Sequence, residues 1–431
     1  MKGFLVAAPQ SGSGKTTLTL GLLRAFRDRG VPLAPAKAGP DYIDPAYHTS
    51  AAGEICINLD PWAMRPELLR MFAINHRTDD KLLLVEGMMG LFDGAADGAG
   101  TPADLAVLLG LPVVLVVDCA RMSQSVAALV SGFAKFRANP SIAGVILNRV
   151  GSSRHESLLR DALDPVGLPV LGAVYQADTL TLPSRHLGLV QAGEHEHLES
   201  FLNDAAFAVS VGVDLDALAA LTIRSGINWG GSVPYLPPFG QRLAVARDQA
   251  FAFSYPHLLK GWRKQGAEIS FFSPLADEAP AEDADSVFLP GGYPELHAGR
   301  IAGASQFMAG LRKAAEAGKQ VYGECGGYMV LGEGLVDAEG TRHEMAGLLP
   351  VVTSYAERRR HLGYRRLAPF SAAPWNMALT AHEFHYSTLV SEGEGERLFA
   401  VRDARGEDHK DAGLRRGSVC GSYMHVIDRA A

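Results

Sequence analysis

The first 175 residues alternate short apolar runs with longer stretches in which apolar positions recur at helical spacing. FLVAAP (4–9), LLLVEG (82–87), VVLVVD (113–118), AGVILNR (143–149) and VLGAV (170–174) are apolar on both faces. Strands of a parallel sheet covered by helices have this character. The intervening segments 15–29, 66–76, 103–109, 123–137 and 154–163 supply the covering helices, and the alternation predicts a doubly wound α/β domain. The periodicity then weakens, and SGINWGGSVPYLPPFGQ (225–241) collects glycine, proline and serine as a linker does. A second α/β pattern follows, with strands at 243–248, 267–274, 286–292 and 320–327 and helices at 251–265 and 303–317. Beyond residue 345, GLLPVV, LGYRRL, HEFHYSTL and VCGSYMHVI predict shorter strands of an antiparallel or mixed extension. The expected organisation is a domain over 1–225, a linker over 226–241 and a domain over 242–431.

A chain of 431 residues agrees with two domains, and 47 glycines exceed the usual share of about 7%. Tight turns or bare backbone against ligand would account for the excess. The net charge of −7 lacks the basic surplus of a nucleic-acid binder, so no nucleic-acid partner is expected. The apolar run LGLPVVLVV (109–117) falls short of the roughly 18 residues of a membrane span, which argues against a membrane partner. Cys56, Cys119, Cys325 and Cys420 lie far apart without zinc spacing, as expected of reduced thiols in a cytoplasmic protein.

The strongest motif is APQSGSGKTT (8–17), between a strand and an amphipathic helix. Glycine-rich backbone there lets successive N–H groups approach phosphate oxygens at the positive end of the following helix. Gly12, Ser13, Gly14, Lys15, Thr16 and Thr17 are the candidate ATP-binding residues, although Pro9 replaces the first glycine of the usual pattern. Lys15 would bridge the outer phosphates and the Thr16 hydroxyl would ligate Mg2+. Magnesium prefers oxygen ligands, so carboxylates at neighbouring strand ends are the expected helpers. Glu86 ends a buried strand, Asp93 follows in a glycine-rich turn, and Asp41 and Asp44 lie in the proline-bounded loop KAGPDYIDPAYH. Asn148 and Arg149 end a further strand, where they could touch the nucleotide base.

In the second half, QVYGECGGYM flanks Cys325 with glycines after an apolar strand. Such a turn lifts a nucleophile above the sheet, and a following helix N-terminus favours its thiolate. A histidine base is needed, and His343, His361, His382, His385 and His425 are the options. The glycines Gly291 and Gly292 of LPGGYPEL could offer free N–H groups as an oxyanion hole.

The order APQSGSGKTT, GPDYIDPAYH, VEGMMGLFDG, LPGGYPELH, GECGGYM, EFHYS and SYMH resembles the cobyrinic/hydrogenobyrinic acid a,c-diamide synthases of cobalamin biosynthesis, over nearly the whole chain. The resemblance implies an ATP-dependent domain similar to dethiobiotin synthetase fused to a class I type glutamine amidotransferase domain. It implies ATP and L-glutamine as co-substrates, a corrinoid tetrapyrrole as substrate, an acyl phosphate intermediate, and a homodimer. It also implies Cys325 as nucleophile activated by His425, with Asp41, Asp44 and Glu86 serving metal and phosphoryl transfer. Asp93, with Tyr42 of the same set of loops, would govern which acetate reacts. Class I members usually carry a glutamate two residues after the histidine, where this chain has Ile427 followed by Asp428. A Cys/His dyad or a third member elsewhere is therefore expected. Two other readings are a nickel sirohydrochlorin a,c-diamide synthase and a partitioning-type ATPase switch with a degenerate second domain; the intact GECGG segment speaks against the latter.

Overall fold

The computed structural model describes residues 2–76, 80–185, 188–221, 231, 233–370 and 374–430. The chain forms two compact units: Met1–Trp62 with Pro66–Val233, and Ala63–Arg65 with Pro234–Ala431. Of the expected linker, residues 226–230 and 232 lie outside the described residues.

The first unit is built on seven parallel strands: β1 (Gly3–Ala7), β2 (Leu33–Ala38), β3 (Ile57–Leu59), β4 (Leu82–Glu86), β5 (Val113–Asp118), β6 (Ile142–Val150) and β7 (Val170–Tyr175). Their order across the sheet is β3-β2-β4-β1-β5-β6-β7, so β1 lies at the centre with β4 and β5 beside it. The chain reverses its direction of winding about β1, and α/β sheets bind ligands beyond the strand ends at such a point. Helix α1 (Lys15–Asp28) starts there, directly after Gly14 in a left-handed conformation (φ 84°), and buries Leu18, Leu22, Leu23 and Phe26. The expectation of a loop around Asp44 is corrected: α2 (Ile43–Ala52) begins one residue before it. The Asp41 carboxylate accepts from the Ile43 and Asp44 amides and so caps the helix (2.8 and 3.1 Å). Pro45 falls in the first turn, where its missing N–H costs no helical bond. The helix Leu198–Gly212 has no counterpart in the expected pattern, because its buried face alternates Phe201 and Leu202 with the small Ala205 and Ala206.

The second unit carries a ten-stranded mixed sheet. Glu268–Phe272, Arg242–Ala246, Ser286–Leu289, Gln320–Glu324 and Val419–Ser422 pair in parallel. Antiparallel strands then extend it through Ala412–Arg416, Glu396–Asp403, His361–Pro369, Leu379–His385 and Met424–Arg429. The segment VCGSYMHVI thus breaks into two strands: the first pairs beside Gln320–Glu324, the second beside Leu379–His385. The helix expected at 251–265 is shorter, Pro256–Lys264, because a proline sets its first turn and Gly266 (φ 93°) follows its end.

Candidate active sites

In the first unit, the segment between β1 and α1 folds as a phosphate loop. Its shape is fixed from outside: Asn148 Nδ2 donates to the Ser13 carbonyl at 2.9 Å, and Arg149 Nη1 donates to the Gly12 carbonyl at 3.0 Å. A Cβ on Gly14 would lie 2.2 Å from that Asn148 nitrogen, so glycine is required by space as well as by φ. In this arrangement Asn148 and Arg149 grip the loop backbone, and Asp118 in turn holds Arg149 at 2.6 Å. Thr17 Oγ1 donates to the Leu180 carbonyl at 3.3 Å. Lys15 is buried and bonds the Met89 carbonyl; burial lowers its pKa.

The oxygens expected to serve a metal converge. Thr16 Oγ1 lies 2.8 Å from Glu86 Oε1 and 3.4 Å from Asp44 Oδ2. Two residues that the sequence reading missed complete the cluster. Lys37 Nζ bonds Asp44 Oδ2 and, at 2.9 Å, Glu86 Oε1, while His48 Nε2 meets Glu86 Oε2 at 2.6 Å. Lys37 and His48 are buried with them. Burial alone would raise the Glu86 pKa, but Lys37 and His48 hold it well below the usual carboxylate range. Burial would likewise lower Lys37, yet Asp44 and Glu86 keep it raised. A lysine within the wholly buried strand LAPAKA was the available signal, because a buried ammonium must find carboxylates.

Asp41 differs from its neighbours. One oxygen is spent on capping α2, and burial together with Asp44 pushes its pKa to about 6. Tyr42 is half-buried at the start of α2. Asp93 is exposed, and its Oδ2 accepts from the Gly90 amide at 2.8 Å, closing the turn after β4. Three hard oxygens from Thr16, Asp44 and Glu86 suit Mg2+, which binds few protein groups and keeps several waters.

In the second unit, Cys325 follows the strand Gln320–Glu324 and precedes the short helix Gly326–Leu331. Its backbone has φ 46° and ψ −103°, which a non-glycine residue adopts only under constraint. The Ser422 carbonyl accepts from its amide at 2.8 Å. Gly291 packs against both members of the expected pair: a Cβ there would lie 2.3 Å from His425 Cε1 and 3.3 Å from Cys325 Cβ. Of the histidine candidates, His425 therefore shares this spot with the nucleophile. Burial drives its pKa down to about 3, helped by His382 and His385, and drives the Cys325 thiol up, helped by Glu295. The resting pair is a neutral thiol and a neutral imidazole able to accept a proton. His385 instead bonds Ser387 through Nδ1 and faces Glu383 at 3.3 Å; His343 pairs with Asp337 at 2.7 Å.

Asp428 does not serve His425. Arg65 binds both its oxygens through Nε and Nη2, at 2.9 and 3.1 Å. Glu324 Oε2 lies 3.9 Å from His425 Nδ1, beyond hydrogen-bond reach. Glu324 Oε1 accepts from Tyr322 Oη and the Val426 amide, each at 3.1 Å, and burial pushes the carboxyl up to about 8.

A phosphate loop backed by buried carboxylates and a strained cysteine beside a neutral histidine define a nucleotide-binding domain joined to a glutamine amidotransferase domain. Residues 4–190 match the CobQ/CobB/MinD/ParA nucleotide binding domain, and residues 242–430 match the CobB/CobQ-like glutamine amidotransferase domain. Hydrogenobyrinate a,c-diamide synthase of Brucella anthropi is 63% identical over 99% of each chain. The relative of the same name from Rhizobium meliloti is 62% identical over 99% of each, and that from Rhodobacter capsulatus 52% over 99% of this chain and 98% of its own. The chain belongs to the hydrogenobyrinate a,c-diamide synthase family. Among the described residues, no helix is long and apolar enough to cross a membrane.

Proposed function

We propose that the protein converts the a and c acetate carboxylates of hydrogenobyrinic acid to amides in the cytoplasm, using ATP and glutamine. The observation that carries this reading is the full-length identity of 62–63% to relatives named for that reaction. The two sites supply the chemistry it requires. A carboxylate is a poor acyl donor, so its oxygen first attacks the γ-phosphorus of ATP, ADP leaves, and an acyl phosphate remains. Lys15 and the loop amides neutralise charge on the transferred group, and Lys37 stands beside the same pocket as a second cation. Thr16, Asp44 and Glu86 would hold Mg2+, which when bound supplies charge neutralisation at the phosphates. Ammonia then attacks the acyl carbon and phosphate departs.

In the second unit the Cys325 sulfur attacks the side-chain amide carbon of glutamine while its proton passes to His425. The Gly291 and Gly292 amides face the oxyanion, and His425 returns the proton to the departing ammonia. Water hydrolyses the resulting thioester to glutamate. Glu324 Oε2, 3.9 Å from His425 Nδ1, is too far to bond it.

The test offers full-length protein hydrogenobyrinic acid with ATP, Mg2+ and glutamine, and counts amidations by mass spectrometry. Two additions are expected, with the cobalt-containing acid a poorer substrate. Cys325→Ala should abolish glutamine-driven turnover and spare turnover with ammonium salt, whereas Lys15→Ala should abolish both. Equal loss of both activities in Cys325→Ala would overturn the scheme.

A further inference from the structure

One buried carboxylate beside the nucleophile has no part in the chemistry above. Glu295 lies in the turn Pro294–His297, just beyond the Gly291–Gly292 pair, and is 8% exposed. The turn is pressed against the nucleophile elbow: a Cβ on Gly326, the residue after Cys325, would lie 2.8 Å from Pro294 Cδ. Glu295 is close enough to Cys325 that, after burial, its charge is the largest influence raising the thiol pKa. Both carboxylate oxygens are shielded from solvent, and among the described residues neither has a hydrogen-bond partner of good geometry. The Tyr355 hydroxyl is near enough to act on Glu295 and also lies 3.7 Å from Met329 Sδ. Burial pushes the Glu295 carboxyl up to about 7, against the pull of its own amide, Tyr355 and Arg358.

A buried acid held only by its own amide, Tyr355 and the charge of Arg358 weakens a fold unless something arrives to pair with it. The arriving molecule is constrained by the neighbouring thiol, because its amide carbon must reach Cys325. Glutamine has one cationic group, the α-ammonium, a short aliphatic chain away from that carbon. We infer that Glu295 is the anionic half of the amino-acid subsite, accepting the α-ammonium of glutamine while Cys325 engages the side-chain amide. This rests on the glutaminase reading proposed above. It gives Glu295 a positioning and selecting role: an amide lacking the ammonium would leave the acid buried and unpaired, and would be a poor donor.

The experiment compares L-glutamine with glutaramate, which carries the same amide and carboxylate but no α-amino group. Full-length wild type and E295Q are assayed for ammonia release with ATP, Mg2+ and hydrogenobyrinate present. The expected result is a fall of about 10- to 100-fold in kcat/KM for glutamine in E295Q, mainly through KM, as for loss of a charge-assisted hydrogen bond. Turnover of glutaramate should not fall, and alkylation of Cys325 by neutral iodoacetamide should be no slower, since a charge that disfavours the thiolate is removed. Should E295Q lose the alkylation reaction through misfolding, E295D carries the same comparison, retaining the charge and part of the preference for glutamine. Equal losses for both donors, or an unchanged KM for glutamine, would overturn the assignment. Wild type that releases no ammonia from glutamine would overturn the glutaminase reading and this inference together.

Discussion

At the scale of single residues, Cys325 and Gly291 show how each site uses backbone where a side chain would intrude. The Cys325 conformation costs about 1–3 kcal/mol, and the neighbours that impose it also place its sulfur beyond the strand end. Gly291 packs against His425 and Cys325 at once, so one added methyl collides with the imidazole and crowds the cysteine. Gly291→Ala is therefore expected to lower glutamine-driven amidation at least tenfold and to leave ammonium-driven amidation unchanged; parallel assays with the two nitrogen sources check this. The sequence made Cys325 and the phosphate loop legible because glycines bracket them. It left Lys37, His48 and Glu295 illegible, because each stands in a segment where the aspartates of KAGPDYIDPAYH or the glycines of LPGGYPEL carry the stronger signal. Their roles depend on partners 49, 38 and about 30 residues away, and spacing along the chain cannot show such partners.

Strands and helices were legible where the apolar period was unbroken, as in β1, β4, β5 and α1. Helix α2 was hidden by Pro45 and by the aspartates that cap and begin it, so a helix start read as a loop. Strand Gln320–Glu324 carries its own expected pH dependence. Glu324 holds a proton in the native state up to about pH 8, while in the unfolded chain it loses that proton near 4.5. A raised acid of this kind favours the fold below pH 4.5 and loses that advantage as pH rises through 8. Glu324→Gln keeps an acceptor for Tyr322 and Val426 but cannot ionise. Between pH 5 and 8 wild type should thus lose stability relative to the variant, as measured by denaturant unfolding of both proteins at each pH. A stability difference that stays constant with pH would show that Glu324 does not titrate as its burial implies.

Across the whole molecule, each unit places its reactive groups just beyond the carboxyl ends of parallel strands, the phosphate loop after β1 and the thiol after Gln320–Glu324. That arrangement was predictable as a class from alternating strands and helices, whereas the split of the last segment between two partners was not, since strand pairing is non-local. The ammonium of Lys37 already occupies the two carboxylate oxygens that a divalent ion would use. Loading Mg2+ there would consequently be an exchange of one cation for another, and free Mg2+ would gain little by entering alone. Nucleotide phosphates would tip that exchange by giving both the incoming ion and the displaced lysine new anions. Equilibrium dialysis should find weak Mg2+ binding to the nucleotide-free protein, much tighter binding with a non-hydrolysable ATP analogue, and tighter nucleotide-free binding in Lys37→Met. The resting enzyme would then hold no metal in reserve, and each catalytic cycle would draw its magnesium in with the nucleotide.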